Sequence, residues 1–230
     1  MNFGEAPFRD REDAGRRLAE RLARYRDEDL VVLALPRGGV PVGYEVARAL
    51  KAPLDVFIAR KLGAPNQPEL GIGAVAQDGT LVLNDHIEEI GVSEEYVRRI
   101  AAEEMEEARR RLKLFRADRP EPEVRERTTI LVDDGIATGV TTWAAIEALR
   151  RRGPRRLVLA VPVCAAQPAE SLRQEVDELI CLEAPSDLMA IGLWYRHYEQ
   201  TSDEEVIELL ERARREQEEE RDANDPDRRT

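Results

Sequence analysis

The chain has 230 residues, of which 42% are hydrophobic and 36% are charged. This length and apolar content predict one domain with a substantial core rather than two domains of equal rank. The formal net charge of −12 argues against sequence-independent binding to nucleic acid or to an anionic membrane surface. Because no run of about 18 apolar residues predicts a transmembrane helix, we expect a cytoplasmic protein.

The first elements alternate between helix and strand. Apolar spacing predicts a helix over 10–25, a strand over 30–35 and a helix over 40–50. Between that strand and the second helix lies Pro36-Arg37-Gly38-Gly39. Its glycines permit close approach of the backbone to a ligand, and its arginine offers donors to an anion. A tight connection without a ligand is the alternative.

The next segment places two cations after a strand. This strand, predicted over 54–59, is followed by Arg60 and Lys61, and the run Pro65-Asn66-Gln67-Pro68 is predicted to be a loop. Two positive charges there would suit an anionic ligand, although a solvated strand end is the alternative. A hairpin is predicted over 71–83, and a helical insertion over about 86–118.

The central motif is a strand, a loop and a helix over 129–152. Residues 129–132 predict a strand buried on both faces, and the helix is expected over 142–152. The loop between them therefore lies at the carboxyl end of a central strand, where α/β sheets bind ligands.

Two kinds of group meet in this loop. Asp133 and Asp134 are suited to accept hydrogen bonds from vicinal hydroxyls or to hold Mg²⁺. The following segment, 137–141, contains small residues and two threonines, so backbone N–H groups and hydroxyls can bind a phosphate at the helix N-terminus. A sugar phosphate satisfies both halves of the loop. An Asp-Gly turn between two strands is the alternative, but the helical pattern that follows disfavours it.

The remaining elements complete a parallel sheet. Strands are predicted over 156–163 and 176–182 with a helix over 168–175 between them, and this alternation favours right-handed crossovers. A capping box at 202–205 begins a last helix, and the charged residues 216–230 are expected to form a disordered tail. Cys164 and Cys181 are expected to be buried free thiols, and the histidines His86 and His197 lack metal-ligand spacing.

The order strand, Asp-Asp, three spacers, Thr-Gly, one spacer, Thr resembles the phosphoribosyl pyrophosphate (PRPP) motif of the type I phosphoribosyltransferases. The form Asp-Asp-Gly-Ile-Ala-Thr-Gly is similar to a stand-alone, poorly characterised branch of that family. The resemblance implies an α/β fold: a Rossmann-like parallel sheet flanked by helices, with a small hood at about 184–200 and a helical insertion. The domain would cover 1–215.

The resemblance also implies roles for individual residues. Asp133 and Asp134 would contact the ribose 2′- and 3′-hydroxyls and hold Mg²⁺ directly or through water, and together with Lys61 they form the expected catalytic set. The 5′-phosphate would contact Ala137, Thr138, Gly139, Val140 and Thr141. The pyrophosphate would contact Arg37, Gly38, Gly39, Arg60 and Lys61. In the hood, Met189 or Trp194 would contact the base, or these side chains simply close the core.

The implied activity is Mg²⁺-dependent transfer of the 5-phosphoribosyl group of PRPP to a nitrogenous base, with pyrophosphate release, in nucleotide salvage. A homo-oligomer, specifically a dimer, is expected, with no nucleic-acid or membrane partner. Ala137 stands where hypoxanthine-using members typically have Asp, which disfavours a hypoxanthine-type mechanism. The alternative is a non-catalytic PRPP- or nucleotide-sensing regulator with the same fold. A P-loop kinase is excluded because no GxxxxGK[ST] occurs.

Overall fold

A computed structural model describes residues 6–84, 87, 91–117 and 119–224. His86 and the end of the predicted tail, 225–230, lie outside the described residues, as do parts of the predicted insertion.

The described residues contain eight strands and six α-helices. The strands are β1 (Leu30–Ala34), β2 (Leu54–Val56), β3 (Ala59–Ala64), β4 (Gln67–Ala76), β5 (Leu81–Leu83), β6 (Thr128–Val132), β7 (Arg156–Val163) and β8 (Glu178–Glu183). The helices are α1 (Arg11–Leu22), α2 (Gly39–Leu50), α3 (Glu94–Arg116), α4 (Val140–Arg150), α5 (Ala166–Glu175) and α6 (Asp203–Asn224), with short 3₁₀ segments at Ala23–Tyr25 and Ile191–Trp194.

Five strands form a parallel sheet in the order β2-β1-β6-β7-β8. Alternate side chains of the buried strands serve opposite faces: Val31 and Leu131 pack on the side of α4 and α5, whereas Val32 and Ile130 pack on the side of α1 and α2. This confirms the predicted α/β fold with helices on both faces of a parallel sheet.

The strand order fixes where a ligand can bind. The chain leaves β1 through α2 and returns as β2 on one side of β1, whereas β6 lies on the other side. The two loops that follow β1 and β6 therefore diverge from adjacent strands at the carboxyl edge, which makes β1/β6 the topological switch point of the sheet.

A second, antiparallel sheet of order β3-β4-β5 stands beside the first. The predicted strand over 54–59 is wrong in its second half, because β2 ends at Val56 and Ala59 begins β3. The predicted loop at 65–68 is confirmed for Pro65 and Asn66, which form the turn of a tight hairpin with Asn66 at a φ of +61°, but it is wrong for Gln67 and Pro68, which belong to β4. The pairing of β3 with β4 is irregular, with register shifts at Leu62–Gly63 and Gly63–Ala64. This irregularity accommodates Pro68 of β4 beside the turn.

Helix α3 joins the two sheets. Ser93 caps its N-terminus by accepting a hydrogen bond from Tyr96 N. The predicted apolar stripe is confirmed in the described part of the helix: Val97 and Ala101 pack on the antiparallel sheet, and Ala108 and Phe115 pack beside β2 and α6. The insertion is therefore a packed cover along its described helix.

Helix α6 extends beyond its predicted end. Ser202 Oγ accepts a hydrogen bond from Glu205 N at 3.1 Å, which confirms the predicted cap. The prediction of a disordered tail is wrong for residues 216–224, because the helix continues to Asn224. Its charged side chains have partners on α2 and at the C-cap of that helix: Tyr44 Oη donates to Glu216 at 2.7 Å, and the C-cap residue Lys51 pairs with Glu220 at 3.2 Å. No helix in the described part of the chain is both long and apolar enough to cross a bilayer.

Candidate functional site

The acid pair and the glycine loop meet at the carboxyl edge of β1 and β6. Leu35 N donates to Val132 O at 2.8 Å, which ties the end of β1 to the end of β6. A Cβ atom added to Gly38 would lie 2.1 Å from Asp134 Oδ2, and one added to Gly39 would lie 3.0 Å from the Cα of Asp133. Only glycine therefore fits at these two positions, and the structure brings the predicted pyrophosphate loop against the predicted ribose-binding acids. The peptide bond between Pro36 and Arg37 is cis.

Asp134 lies at the centre of a hydrogen-bond cluster. Its Oδ2 accepts from Arg11 Nε at 2.8 Å and from Tyr198 Oη at 3.0 Å, while its main-chain oxygen accepts from Tyr195 Oη. The side chains of Arg11 and Asp134 are each only 11% exposed. The guanidinium of Arg11 also lies over the ring of Tyr198, 4.0 Å from its centroid, and donates through Nη1 to Glu199 O at 2.7 Å.

Asp133 has different surroundings. Its Oδ1 accepts a hydrogen bond from Asp134 N at 2.8 Å. Burial raises the pKa of Asp133 well above its usual range, and the neighbouring carboxylate of Asp134 raises it further. A cationic ligand, or hydroxyl donors from a sugar, would favour the ionised form of Asp133.

The loop after the acids opens the N-terminus of α4. Gly139 adopts a φ of +79° at the N-cap, a conformation that favours glycine. Ala137 and Thr138 are exposed, and with Gly139 they border a cavity of about 240 Å³ whose other walls are Trp143, Gln167, Pro168, Ser171 and Leu172. The start of α4 thus offers unpaired N–H groups and a positive dipole end beside a cavity.

The three predicted pyrophosphate cations lie in two separate places, the loop after β1 and strand β3. Arg37 Nη1 is 3.6 Å from Asp203 Oδ1 at the beginning of α6. Arg60 and Lys61 stand in β3, so their side chains point to opposite faces of the antiparallel sheet.

Each of the two β3 cations has a carboxylate partner. Arg60 Nε donates to Glu104 Oε2 on α3 at 2.7 Å. Lys61 Nζ lies 3.5 Å from Glu69 Oε2 and donates to Glu69 O at 3.2 Å. Within the described residues, the ionic partners of Arg60 and Lys61 are therefore these two glutamates rather than groups of the acid pair.

The hood covers the motif with residues other than those predicted for the base. Ile191 packs closely against Gly135 in the loop after the acid pair. A Cβ atom added to Gly135 would lie 2.5 Å from Ile191 Cγ2. Met189 is 72% exposed, whereas Trp194 packs on a cluster that includes Phe8 and Tyr195. The contact of Ile191 with Gly135 was not predicted, whereas the packing of Trp194 agrees with the predicted alternative that these side chains close the core.

The contacts of Arg11 and Tyr198 with Asp134 also went unpredicted. The one available signal was the aromatic spacing of Tyr195 and Tyr198, whose rings stack with centroids 5.1 Å apart. Arg11 carried no signal, because an arginine in the first turn of an exposed helix is ordinary.

The acid pair fits Mg²⁺ only as part of a shared site. Within the described residues, no group of three or more His, Cys, Asp or Glu side chains could hold a metal ion. Mg²⁺ commonly binds one or two carboxylates together with substrate phosphates and water. Asp133 and Asp134 supply such a partial set of donors, which a phosphorylated ligand would complete.

The fold and this arrangement define an α/β protein whose candidate ligand site lies at the switch point of a parallel sheet. Comparison with known proteins gives its family. The phosphoribosyl transferase domain family matches residues 8–195. Proteins from two strains of Mycobacterium tuberculosis, each named as a candidate phosphoribosyl transferase, are 44% identical over 214 residues, covering 90% of this chain and 47% of theirs. The chain spans about half the length of these curated relatives.

A solved structure is similar over most of its length. The crystal structure of the protein TT1426 from Thermus thermophilus has 42% sequence identity and a TM-score of 0.75, covering 88% of this chain and 97% of that one. The chain belongs to the phosphoribosyl transferase family. The predicted family is thereby confirmed, and membership of a transferase family supports the predicted class of enzyme.

Proposed function

We propose that the protein transfers the 5-phosphoribosyl group of PRPP to a nitrogenous base, or catalyses the reverse reaction, with Mg²⁺ and pyrophosphate as the other participants. The observation that carries this proposal is the close packing of the Gly38-Gly39 loop against Asp133 and Asp134, next to the open N-terminus of α4. Each feature suits one group of PRPP. The glycine loop suits the pyrophosphate, the acid pair suits the ribose hydroxyls, and the N-terminus of α4 suits the 5′-phosphate. The proposed setting is nucleotide salvage in the cytoplasm.

In the proposed complex, the 5′-phosphate binds residues 137–141, where backbone N–H groups and the α4 dipole favour an anion. The acid pair accepts hydrogen bonds from the ribose hydroxyls. The pyrophosphate lies along the glycine loop, with Arg37 beside it and Arg60 and Lys61 as further cations. When bound, Mg²⁺ would be held by substrate oxygens with Asp133 and Asp134, directly or through water, and would neutralise part of the pyrophosphate charge.

The proposed chemistry breaks the bond between ribose C1 and the pyrophosphate oxygen and forms a bond from C1 to a nitrogen of the base. Where that nitrogen carries a proton, the proton passes to solvent. The electron pair of the broken bond leaves with the pyrophosphate, and the sugar passes through an oxocarbenium-like state. The carboxylates favour positive charge on the sugar, while the cations and loop N–H groups favour negative charge on the leaving group. No covalent nucleophile is required from the protein.

The direct test is to incubate the protein with PRPP and Mg²⁺ and with each nucleobase in turn, and to measure pyrophosphate release. Release that depends on one base would support the proposal and identify the acceptor. Absence of release with every base, although PRPP binds in calorimetry, would contradict the catalytic proposal.

Asp133→Asn is the most informative variant for this test. It removes one charge of the acid pair at nearly constant volume, so we expect loss of base-dependent pyrophosphate release with retention of the folded structure. Asp134→Asn is less clean, because it would also leave the buried Arg11 without its carboxylate, which is destabilising. The matched control is Asp27→Asn, an exposed acid in the turn after the first helix, which should behave as the wild type.

The alternative is a PRPP- or nucleotide-sensing regulator that binds its ligand at the same site. A sensor needs binding without turnover, so PRPP affinity without base-dependent release would select this alternative.

A further inference from the structure

We propose that Arg11 and Tyr198 are positioning residues for PRPP, acting through Asp134: they fix Oδ2 of its carboxylate, which leaves Oδ1 to accept a ribose hydroxyl. This inference rests on the proposed function, since it concerns how the same site binds PRPP. It assigns a role to an N-terminal arginine and a hood tyrosine that the family's contiguous motif does not contain.

The geometry separates the two oxygens of Asp134. Oδ2 receives both Arg11 Nε at 2.8 Å and Tyr198 Oη at 3.0 Å. Neither of these two donors bonds to Oδ1, and the backbone N–H of Asp134 itself donates to Asp133 Oδ1 instead. A carboxylate can accept about four hydrogen bonds, so two donors at Oδ2 leave Oδ1 with its capacity unused. The side chain is thus held by the protein on one oxygen and available to a ligand on the other.

The surroundings allow the Asp134 carboxylate little freedom. The carboxylate lies against Gly38, because a Cβ atom there would be 2.1 Å from Oδ2 and 3.0 Å from Oδ1. Arg11 is itself fixed, since its guanidinium also donates to Glu199 O and stacks on the ring of Tyr198. Asp134 therefore contacts both the glycine loop and the hood. Loss of the hydrogen bond from Arg11 or from Tyr198 would allow its carboxylate to rotate.

The N-terminal segment and the hood are joined to each other as well. Phe8 N donates to Trp194 O at 3.1 Å, and Arg196 N donates to Phe8 O at 2.9 Å. Arg11 and Tyr198 therefore reach Asp134 from two segments that already form a short parallel bridge. This backbone pairing does not require either side chain, so their substitution should leave the two segments paired.

The test uses three variants. Arg11→Met removes the donor and the charge but keeps the stem; Arg11→Lys keeps the charge and tests rescue; Tyr198→Phe removes only the hydroxyl and keeps the ring over Arg11. The controls are Arg21→Met, an exposed arginine on the same helix, and Tyr44→Phe, which removes another phenol–carboxylate hydrogen bond, to Glu216 on α6.

The measured quantities are KM for PRPP, KM for the base and kcat, with thermal unfolding to verify folding. We expect Arg11→Met and Tyr198→Phe to raise KM for PRPP about tenfold or more, as for loss of a hydrogen bond to a charged group, with KM for the base unchanged. Arg11→Lys should recover part of this loss, and the controls should match the wild type. A role in folding alone would lower the active fraction, and hence kcat, without raising KM for PRPP.

Binding calorimetry with PRPP and Mg²⁺ separates this inference from the proposed function. If the wild type binds PRPP without turning it over, a tenfold weaker Kd in both variants still supports positioning. If the wild type binds PRPP and Tyr198→Phe, which perturbs folding least, binds it equally well, the positioning role is refuted while the proposed function stands. A folded wild-type protein that does not bind PRPP would overturn both.

Discussion

Replacing Gly38 by alanine should destabilise the folded state, because the new methyl group would clash with the side chain of Asp134. The added Cβ would lie 2.1 Å from Asp134 Oδ2 and 2.6 Å from its carboxyl carbon, far inside the roughly 3.5 Å at which non-bonded heavy atoms attract one another. Gly38 has φ −58° and ψ −32°, a conformation that alanine adopts freely. The cost of Gly38→Ala therefore comes from packing and not from backbone strain.

Asp134 cannot easily move away from such a methyl group. Its carboxylate is fixed by Arg11 and Tyr198, so the clash must shift either this cluster or the glycine loop. Overpacking of this kind typically costs about 1–3 kcal/mol. For a chain of this size, that loss corresponds to a decrease in Tm of about 2–12 °C.

The assay is thermal unfolding followed by circular dichroism, together with PRPP binding by calorimetry. The matched control is Gly71→Ala, where the new Cβ would meet only the flexible side chain of Lys61, at 3.3 Å. We expect this control to be as stable as the wild type or slightly more stable, because alanine restricts the unfolded chain. A Gly38→Ala protein with wild-type Tm and wild-type PRPP affinity would refute the argument that this glycine is required by the approach of Asp134.

Three further predictions concern the thiols, the packing of α6 and one site cation. Burial raises the pKa of Cys164 to about 12 and that of Cys181 to about 11, so both thiols stay protonated at pH 8. We therefore expect both to react slowly with a thiol reagent until denaturant is added. Leu210→Ala empties a site that is 3% exposed and should cost about 2–5 kcal/mol in urea unfolding. Glu104→Gln frees Arg60 from a partly exposed pair and should lower KM for PRPP by no more than about fivefold.

The parallel sheet could be predicted because its signal is local. Residues 128–132 form a run in which every side chain is buried, and such a run identifies a strand covered on both faces. The hairpin of β3 and β4 was less accessible, because Pro65 and Pro68 indicate a loop and the irregular register that accommodates the hairpin has no sequence pattern. The end of α6 was missed since its stability depends on partners from α2, which composition does not show.

The same distinction between local and long-range signals applies to the site. The acid pair and the predicted phosphate loop occupy one contiguous stretch, so a hypothesis about their chemistry can be drawn from spacing. The donors to Asp134 cannot: Arg11 is 123 positions away along the chain and Tyr198 is 64. Their convergence follows from the pairing of the N-terminal segment with the hood, which is a property of the folded chain.

The ion pairs around the site fall into two classes with different consequences for ligand binding. Arg37 and Arg60 face Asp203 and Glu104 with side chains that are 23–31% exposed, and partly exposed pairs contribute only about 0–1 kcal/mol. In the proposed complex, pyrophosphate would replace these carboxylates at low cost, since it offers the cations another anion. The pair at Asp134 is 11% exposed on both sides, and losing one partner of such a pair costs about 3–5 kcal/mol. The pairs of Arg37 and Arg60 are therefore easier to exchange than the pair at Asp134, and the proposed function requires this difference, because its cations must take up an anionic leaving group while its acid holds a sugar in one orientation.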